Sequence, residues 1–323
     1  MNTLRECRIQ HMSNPNLGVF REAPTRIETA GILREEEYME YRNSVSLIEG
    51  VLSDYLQFQM VRNSYAEYRR LIDRYKQKYS VKPQINSVVV GRMNHEINRR
   101  LRGFFTEFFF SLEYAERKLK RQYGKESQQA QDFKQATSEQ FDSSFAYRFV
   151  YQLRHYAQHI NLPLNALSLK SGEFDFLLAT TRHNLLVEVN RDILLNSGFD
   201  WRAKDVRPQL SSLPPKFELN GYIEEMMECL EKIHVAFFCI SLPDAKRAAD
   251  YVKELIIPVV GKGKPVVYHS DYPDRAVKGE IYSNIASSLS WVPVELAEFI
   301  ADLPAPAVLR ENPSLNYNFH SGG

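Results

Sequence analysis

The 323 residues contain only three cysteines, Cys7, Cys229 and Cys239, and no two of them form a CxxC pair. That scarcity excludes a disulfide framework and a cysteine-rich zinc site. It fits a reducing compartment, so the expected location is cytoplasmic. Long apolar runs are missing as well. Nothing approaches the roughly 20 residues of a membrane-spanning helix, and the first residues carry no continuous apolar segment of the signal-peptide kind, so no membrane partner is expected. Internal repeats and low-complexity tracts are absent.

What remains is ordinary for a globular chain: 44% hydrophobic and 25% charged residues. The length points to one large or two ordinary domains. A net charge of +1 conceals an asymmetry: residues 1–160 hold 25 Lys/Arg against 19 Asp/Glu, and residues 161–323 hold 16 against 21. The basic half includes Arg99, Arg100 and Arg102, then Arg117, Lys118, Lys120 and Arg121. Such a half suits a polyanion, although the plain reading is a set of solvated helix faces.

Residues 1–30 mix Asn, Pro, Arg and Glu without a period and read as an irregular N-terminal arm. From about Ile32 to Tyr79 there is no proline, and apolar residues recur with helical spacing at Val45, Ile48, Val51, Leu52 and Tyr55. The spacing predicts one long helix, broken at most once. A second runs from Ile85 or Val88 to Tyr123, where Gly124 stops it. Its run Phe104, Phe105, Phe108, Phe109 and Phe110 is assigned to core packing. A short helix is expected over Gln128–Thr137. Asp142-Ser-Ser is then an N-cap region for a further helix ending before Asn161-Leu162-Pro163. After residue 164 the pattern changes to short strands around Leu167–Leu169, Phe174–Ala179, Leu185–Val189 and Val266–His269. Helices follow at Asn220–Phe238, Asp244–Ile256 and Glu295–Ala301. The fold class is therefore mainly α: a helical bundle over residues 31–164, then a smaller mixed α+β region over 165–323.

The helix before Pro163 holds the residue types that phosphodiester chemistry needs, in Arg154-His155-Tyr156-Ala157-Gln158-His159. On an ideal helix Phe149, Leu153, Ala146, Val150, Ala157 and Ile160 form an apolar stripe about 100° wide. The other side collects Tyr147, Arg148, Tyr151, Gln152, His155, Gln158 and His159, with no carboxylate. That face suits a second surface, either a partner helix or a nucleic acid. Arg154 and His159 stand about 140° apart and flank it.

The spacing Arg-x4-His, with a polar residue after the arginine, resembles the signature of the HEPN superfamily. These are helical-bundle proteins, many of them metal-independent ribonucleases of toxin and phage-defence systems. The resemblance covers the helical half only. It implies a HEPN-like bundle, RNA as substrate, a homodimer whose motif helices meet in a composite cleft, and an antitoxin or other regulatory partner. Arg154 and His159 are the catalytic candidates, and His155, Tyr151 and Arg148 support RNA or the partner helix. His155 stands where asparagine is commoner in the family. In RNA cleavage the substrate's own 2′-hydroxyl attacks. Histidine, with an unperturbed pKa of about 6.5, suits the proton transfer, and the arginine fork suits the charged phosphorane. No cofactor and no metal are then required.

Other readings compete. A non-catalytic member of the same fold would bind RNA or nucleotide or serve as a dimeric interaction module; a helical scaffold would use the polar face for another protein. His155 and His159 have the i, i+4 spacing of a metal pair but no carboxylate within the turn. Gly261-Lys-Gly-Lys264 lacks the frame of a phosphate loop. Glu173-x-Asp175 with Glu188-Val-Asn190 lacks the Glu-x-Lys that completes the acidic pattern of metal nucleases.

Overall fold

A computed structural model describes residues 15–22, 25–79, 81–82, 86–160, 166–175, 180–203, 205–270, 280–281 and 286–311. It is mainly helical, with two small antiparallel sheets. Helix α1 (Glu35–Tyr79) is unbroken. Its buried residues Tyr41, Ser44, Ile48, Val51, Asp54, Phe58 and Val61 recur every three or four positions, which keeps one face on the core. Helix α2 (Ser87–Tyr123) starts where the Asn86 side chain accepts a hydrogen bond from Val89 N. It ends at Gly124, whose φ of 98° falls in the region that favours glycine. Helix α3 (Gln128–Ser143) runs past Thr137 for another turn and a half. Helix α4 (Phe145–His159) begins at Ser144, whose Oγ accepts from Tyr147 N at 3.0 Å and donates to Glu225 Oε1 at 2.6 Å.

The chain divides into two compact units, and neither coincides with the split at residue 164 expected from the sequence. One unit comprises the described residues from Asp54 to Ile240 and from Leu309 on. Its bundle contains not four helices but five, because the first part of α7 (Asn220–Leu255) belongs to it. Ile223, Met226, Leu230 and Ile233 of α7 share one core cluster with Phe58, Val61, Phe104, Phe108 and Phe149. Polar contacts fix the pairing. Tyr68 OH donates to Asn220 Oδ1 at 2.7 Å, and Arg62 and Arg69 pair with Glu231 and Glu224. Between α1 and α2, Asp54 is fully buried; it accepts from Lys118 Nζ at 2.6 and 2.7 Å and from Tyr114 OH at 3.0 Å. Strands β3 (Val81–Lys82), β4 (Ala166–Asp175), β5 (Thr180–Asn190) and β6 (Lys216–Glu218) form this unit's sheet. There β4 lies on one side of β5, with β3 and β6 on the other. The short helices α5 (Arg191–Asn196) and α6 (Val206–Ser212) follow β5.

The other unit comprises the described residues up to Ser53 and Ser241–Val308. Here the irregular N-terminal arm gives way to a hairpin. Strands β1 (Pro15–Glu22) and β2 (Thr25–Ile32) join β7 (Lys264–Ser270), β8 (Glu280–Ile281) and β9 (Ala286–Trp291) in the order β8-β2-β1-β7-β9. Strand β1 is central, and Asn16, Leu17 and Val19 are buried. Gly18 masks the strand pattern for a steric reason. A Cβ there would lie 2.7 Å from Ile27 Cγ2 and 2.9 Å from Tyr268 Cε1. Helix α7 also runs through Pro243 without a break, where two helices were expected. Leu242, Ala245, Ala248 and Ala249 are buried on its inner face, so packing outweighs the lost backbone bond. Helices α8 (Val294–Asp302) and α9 (Pro306–Glu311) complete the described chain. No helix among the described residues is long and apolar enough to cross a membrane.

Candidate functional site

Helix α4 is enclosed more completely than its apolar stripe predicts. Ala146, Tyr147, Arg148, Phe149 and Val150 are all buried, so the first turn and a half has no outward face. The polar surface begins only at Tyr151. Two expectations change accordingly. Tyr147 belongs to the core, and Arg148, expected on the RNA-facing side, is turned inward with 6% of its surface exposed. Arg148 Nη1 donates to Phe141 O at 2.6 Å and Asp142 O at 2.9 Å. Those are carbonyls of the last turn of α3, which that helix cannot satisfy by itself.

The second half of α4 carries the cluster. Arg154 lies flat against α2, its Cζ 3.4 Å from the ring centroid of Phe109. Its Nη1 is 3.3 Å from His155 Nδ1, and its buried Nε has no hydrogen-bond partner among the described residues. Burial lowers the pKa of the guanidinium, while the nearby Tyr151 and Glu113 oppose that shift. The His155 ring meets Phe109 edge-on at 6.0 Å and Tyr151 at 5.3 Å. Burial lowers its pKa, and Arg154 and His159 push the same way, which favours the neutral ring. An arginine can only donate. Nδ1 is therefore the acceptor, and the neutral ring carries its proton on Nε2. His159, in the last turn of α4, is exposed.

The structure thus brings Arg154, His155 and Tyr151 together, leaves His159 one turn further on, and removes Arg148 from the surface. Phe109 and Glu113 are the members that the sequence reading missed. Phe104, Phe105 and Phe108 are buried, whereas Phe109 is half-exposed. On the wheel of α2 Phe109 stands only about 40° from buried Phe105, so the helical period alone gave no signal for it.

The weaker candidates are also placed. Among the described residues no three His, Cys, Asp or Glu side chains cluster as metal ligands. Glu188 is buried in β5, and the side chains of Glu173 and Asp175 lie outside the described residues. In the Gly261–Lys264 loop a Cβ on Gly263 would stand 2.5 Å from Val19 Cγ1 and 2.8 Å from Phe20 O, so that glycine serves close strand packing. The chain matches no protein-family model, no curated protein and no solved structure.

Proposed function

We propose that the protein is a metal-independent endoribonuclease of the HEPN type, from a toxin or phage-defence setting, acting as a homodimer. The observation that carries this reading is the state of Arg154. It is a half-buried guanidinium held by an aromatic ring and a histidine rather than by a carboxylate. A cation in that condition has donors left for a phosphate and is strengthened by partial desolvation. His159 is exposed and within reach of solvent-borne substrate.

In the reaction His159 takes the proton of the 2′-hydroxyl, the 2′-oxygen bonds to phosphorus, and the bond to the 5′-oxygen breaks. His159 of a second copy, protonated, gives its proton to that leaving oxygen. Arg154 binds the non-bridging oxygens as negative charge grows on the phosphorane. His155 holds Arg154, and Tyr151 flanks both. The products are a 2′,3′-cyclic phosphate and a 5′-hydroxyl.

The test is cleavage of total cellular RNA with EDTA present, by wild type and by His159→Ala. Cyclic-phosphate ends from wild type and none from the variant support the reading. Loss of cleavage in EDTA with rescue by a divalent metal refutes it. RNA binding without cleavage by wild type would indicate the non-catalytic RNA-binding or dimeric interaction module instead.

A further inference from the structure

Beside the Arg154 cluster lies a groove of about 720 Å³ between α2, α3 and the start of α4. That is within the roughly 300–1,000 Å³ of small-molecule sites. Its floor is aromatic and apolar, built from Phe109, Leu112, Phe141, Tyr147 and Tyr151. The groove and the cluster are continuous: Phe109 carries Arg154 on its ring and also lines the groove, and Tyr151 touches His155 and also lines it. The Phe109 and Tyr151 rings lie 6.0 Å apart.

The rim decides what enters. It carries Glu113, Glu116, Glu126 and Asp142 against Lys120, Lys125 and Lys134. Two of the carboxylates are already engaged, Glu113 with Arg117 and Glu116 with Lys120. The rim is near charge balance, because the three lysines and Arg117 offset the four carboxylates, and Glu126 and Asp142 are the two that no ion pair engages among the described residues. A carboxylate so placed accepts hydrogen bonds from exocyclic amino groups, as it does from cytosine N4. Aromatic faces stack on any base. A polyanion held at Arg154 would therefore place its phosphate outside the groove and a base inside.

We infer that this groove is a nucleobase subsite: it seats one unpaired, amino-bearing base flanking the phosphate held at Arg154, and so sets where the RNA is cut. The inference rests on the ribonuclease reading above and adds a specificity site to it. Tyr151 and Phe141 supply the stacking surfaces, and the carboxylates of Glu126 and Asp142 favour cytosine over uracil.

The experiment is a thermodynamic cycle on RNA hexamers in the His159→Ala background, which prevents cleavage during titration. An abasic residue is moved through the hexamer one position at a time, and binding is read by fluorescence anisotropy. One position should cost roughly 5- to 150-fold in affinity, the range of a stacked base. The same position should cost little in Tyr151→Leu, and an oligocytidine should bind more tightly than an oligouridine. Thermal melting checks the variant, and Phe141→Leu repeats the cycle if Tyr151→Leu does not fold. An equal abasic penalty with and without Tyr151, or no difference between the two homopolymers, overturns the subsite. Because wild-type cleavage is scored separately, that result leaves the ribonuclease reading standing. No RNA binding and no cleavage by wild type would end both. If Phe141→Arg dissociates a dimer and leaves the abasic penalty intact, the groove is a protein interface and the inference fails.

Discussion

The guanidinium of Arg154 is stacked on Phe109, with Cζ 3.4 Å from the ring centroid, so a residue of α2 holds the central cation of α4. A stacked cation–π contact contributes about 0.5–2 kcal/mol, more as it is desolvated. Phe109→Leu keeps the apolar volume and loses the π face. Its single-turnover cleavage should fall by roughly 2- to 30-fold on that basis, with the melting temperature nearly unchanged. Arg154→Lys should bind RNA within a few-fold of wild type yet cleave roughly 10²–10³ times more slowly, as when an oxyanion donor is lost. A lysine variant that cuts at the wild-type rate would remove Arg154 from the reaction.

Arg148 gives the opposite expectation. Its hydrogen bonds go to Phe141 O and Asp142 O, inside the unit. Arg148→Met should destabilise the protein by about 1.5–3 kcal/mol, the range for charged hydrogen bonds. The salt dependence of RNA affinity should stay as in wild type. Urea unfolding and a salt titration of RNA binding check the two halves separately. A variant of normal stability with a shallower salt slope would return Arg148 to the RNA surface.

These two arginines mark how far the sequence could be read. Some helix boundaries were legible because caps are local, as at Gly124 and Ser144, whereas the end of α3 and the run of α7 through Pro243 were not. Asn86, Gly124 and Ser144 end or begin helices where their side chains or φ permit. The apolar stripe of α4 was legible too, since Phe149, Val150 and Leu153 follow the helical period. What the period cannot report is a second layer of cover. Arg148 and Tyr147 lie on the wheel's polar side and are buried because α3 and α7 close over them. Those contacts join residues far apart in sequence, such as Ser144 with Glu225. The hairpin β1–β2 was hidden for a related reason. A central strand covered on both faces need not alternate, and its Gly18 answers to Ile27 and Tyr268 rather than to local propensity.

His234 of α7 governs a pH response. Its ring stacks on Phe58 with centroids 4.0 Å apart, and the Arg62 guanidinium lies over the same Phe58 ring. Burial, assisted by Arg62, brings the imidazole down to about 3. An unfolded chain takes up that proton near pH 6.5, whereas the folded chain resists it. The unfolded state therefore binds more protons between about pH 6.5 and 3. Stability is lost as pH falls through that window, by at most about 1.4 kcal/mol per pH unit from this residue. Urea midpoints at pH 7.5, 6 and 5 should decline in wild type and decline less in His234→Phe. Parallel curves would show that His234 is free to ionise in the folded protein.

The Asp54–Lys118 pair is a buried ion pair whose two ends depend on each other. Burial raises the pKa of the Asp54 carboxyl, against the pull of Lys118 and Tyr114. Lys118→Met leaves a carboxylate in the interior, and the expected loss is about 3–5 kcal/mol. The double variant Asp54→Leu/Lys118→Met should recover most of it. Chemical denaturation of Lys118→Met, Asp54→Leu and the double variant measures the coupling, and additive losses would mean that the pair is solvated.

The central sheet strand β1 pairs with β7, Pro15 opposite His269 and Phe20 opposite Lys264. All of α1 to α7 is translated between them. On the ribosome, β1 waits with an open edge until β7 has emerged, so this sheet closes only after α1 to α7 have been made. Until then the unpaired edge is a template for pairing with another nascent chain. Expression yield should thus respond to changes in β1 and β7 out of proportion to their effect on the folded protein, and slower synthesis or added chaperone should restore it.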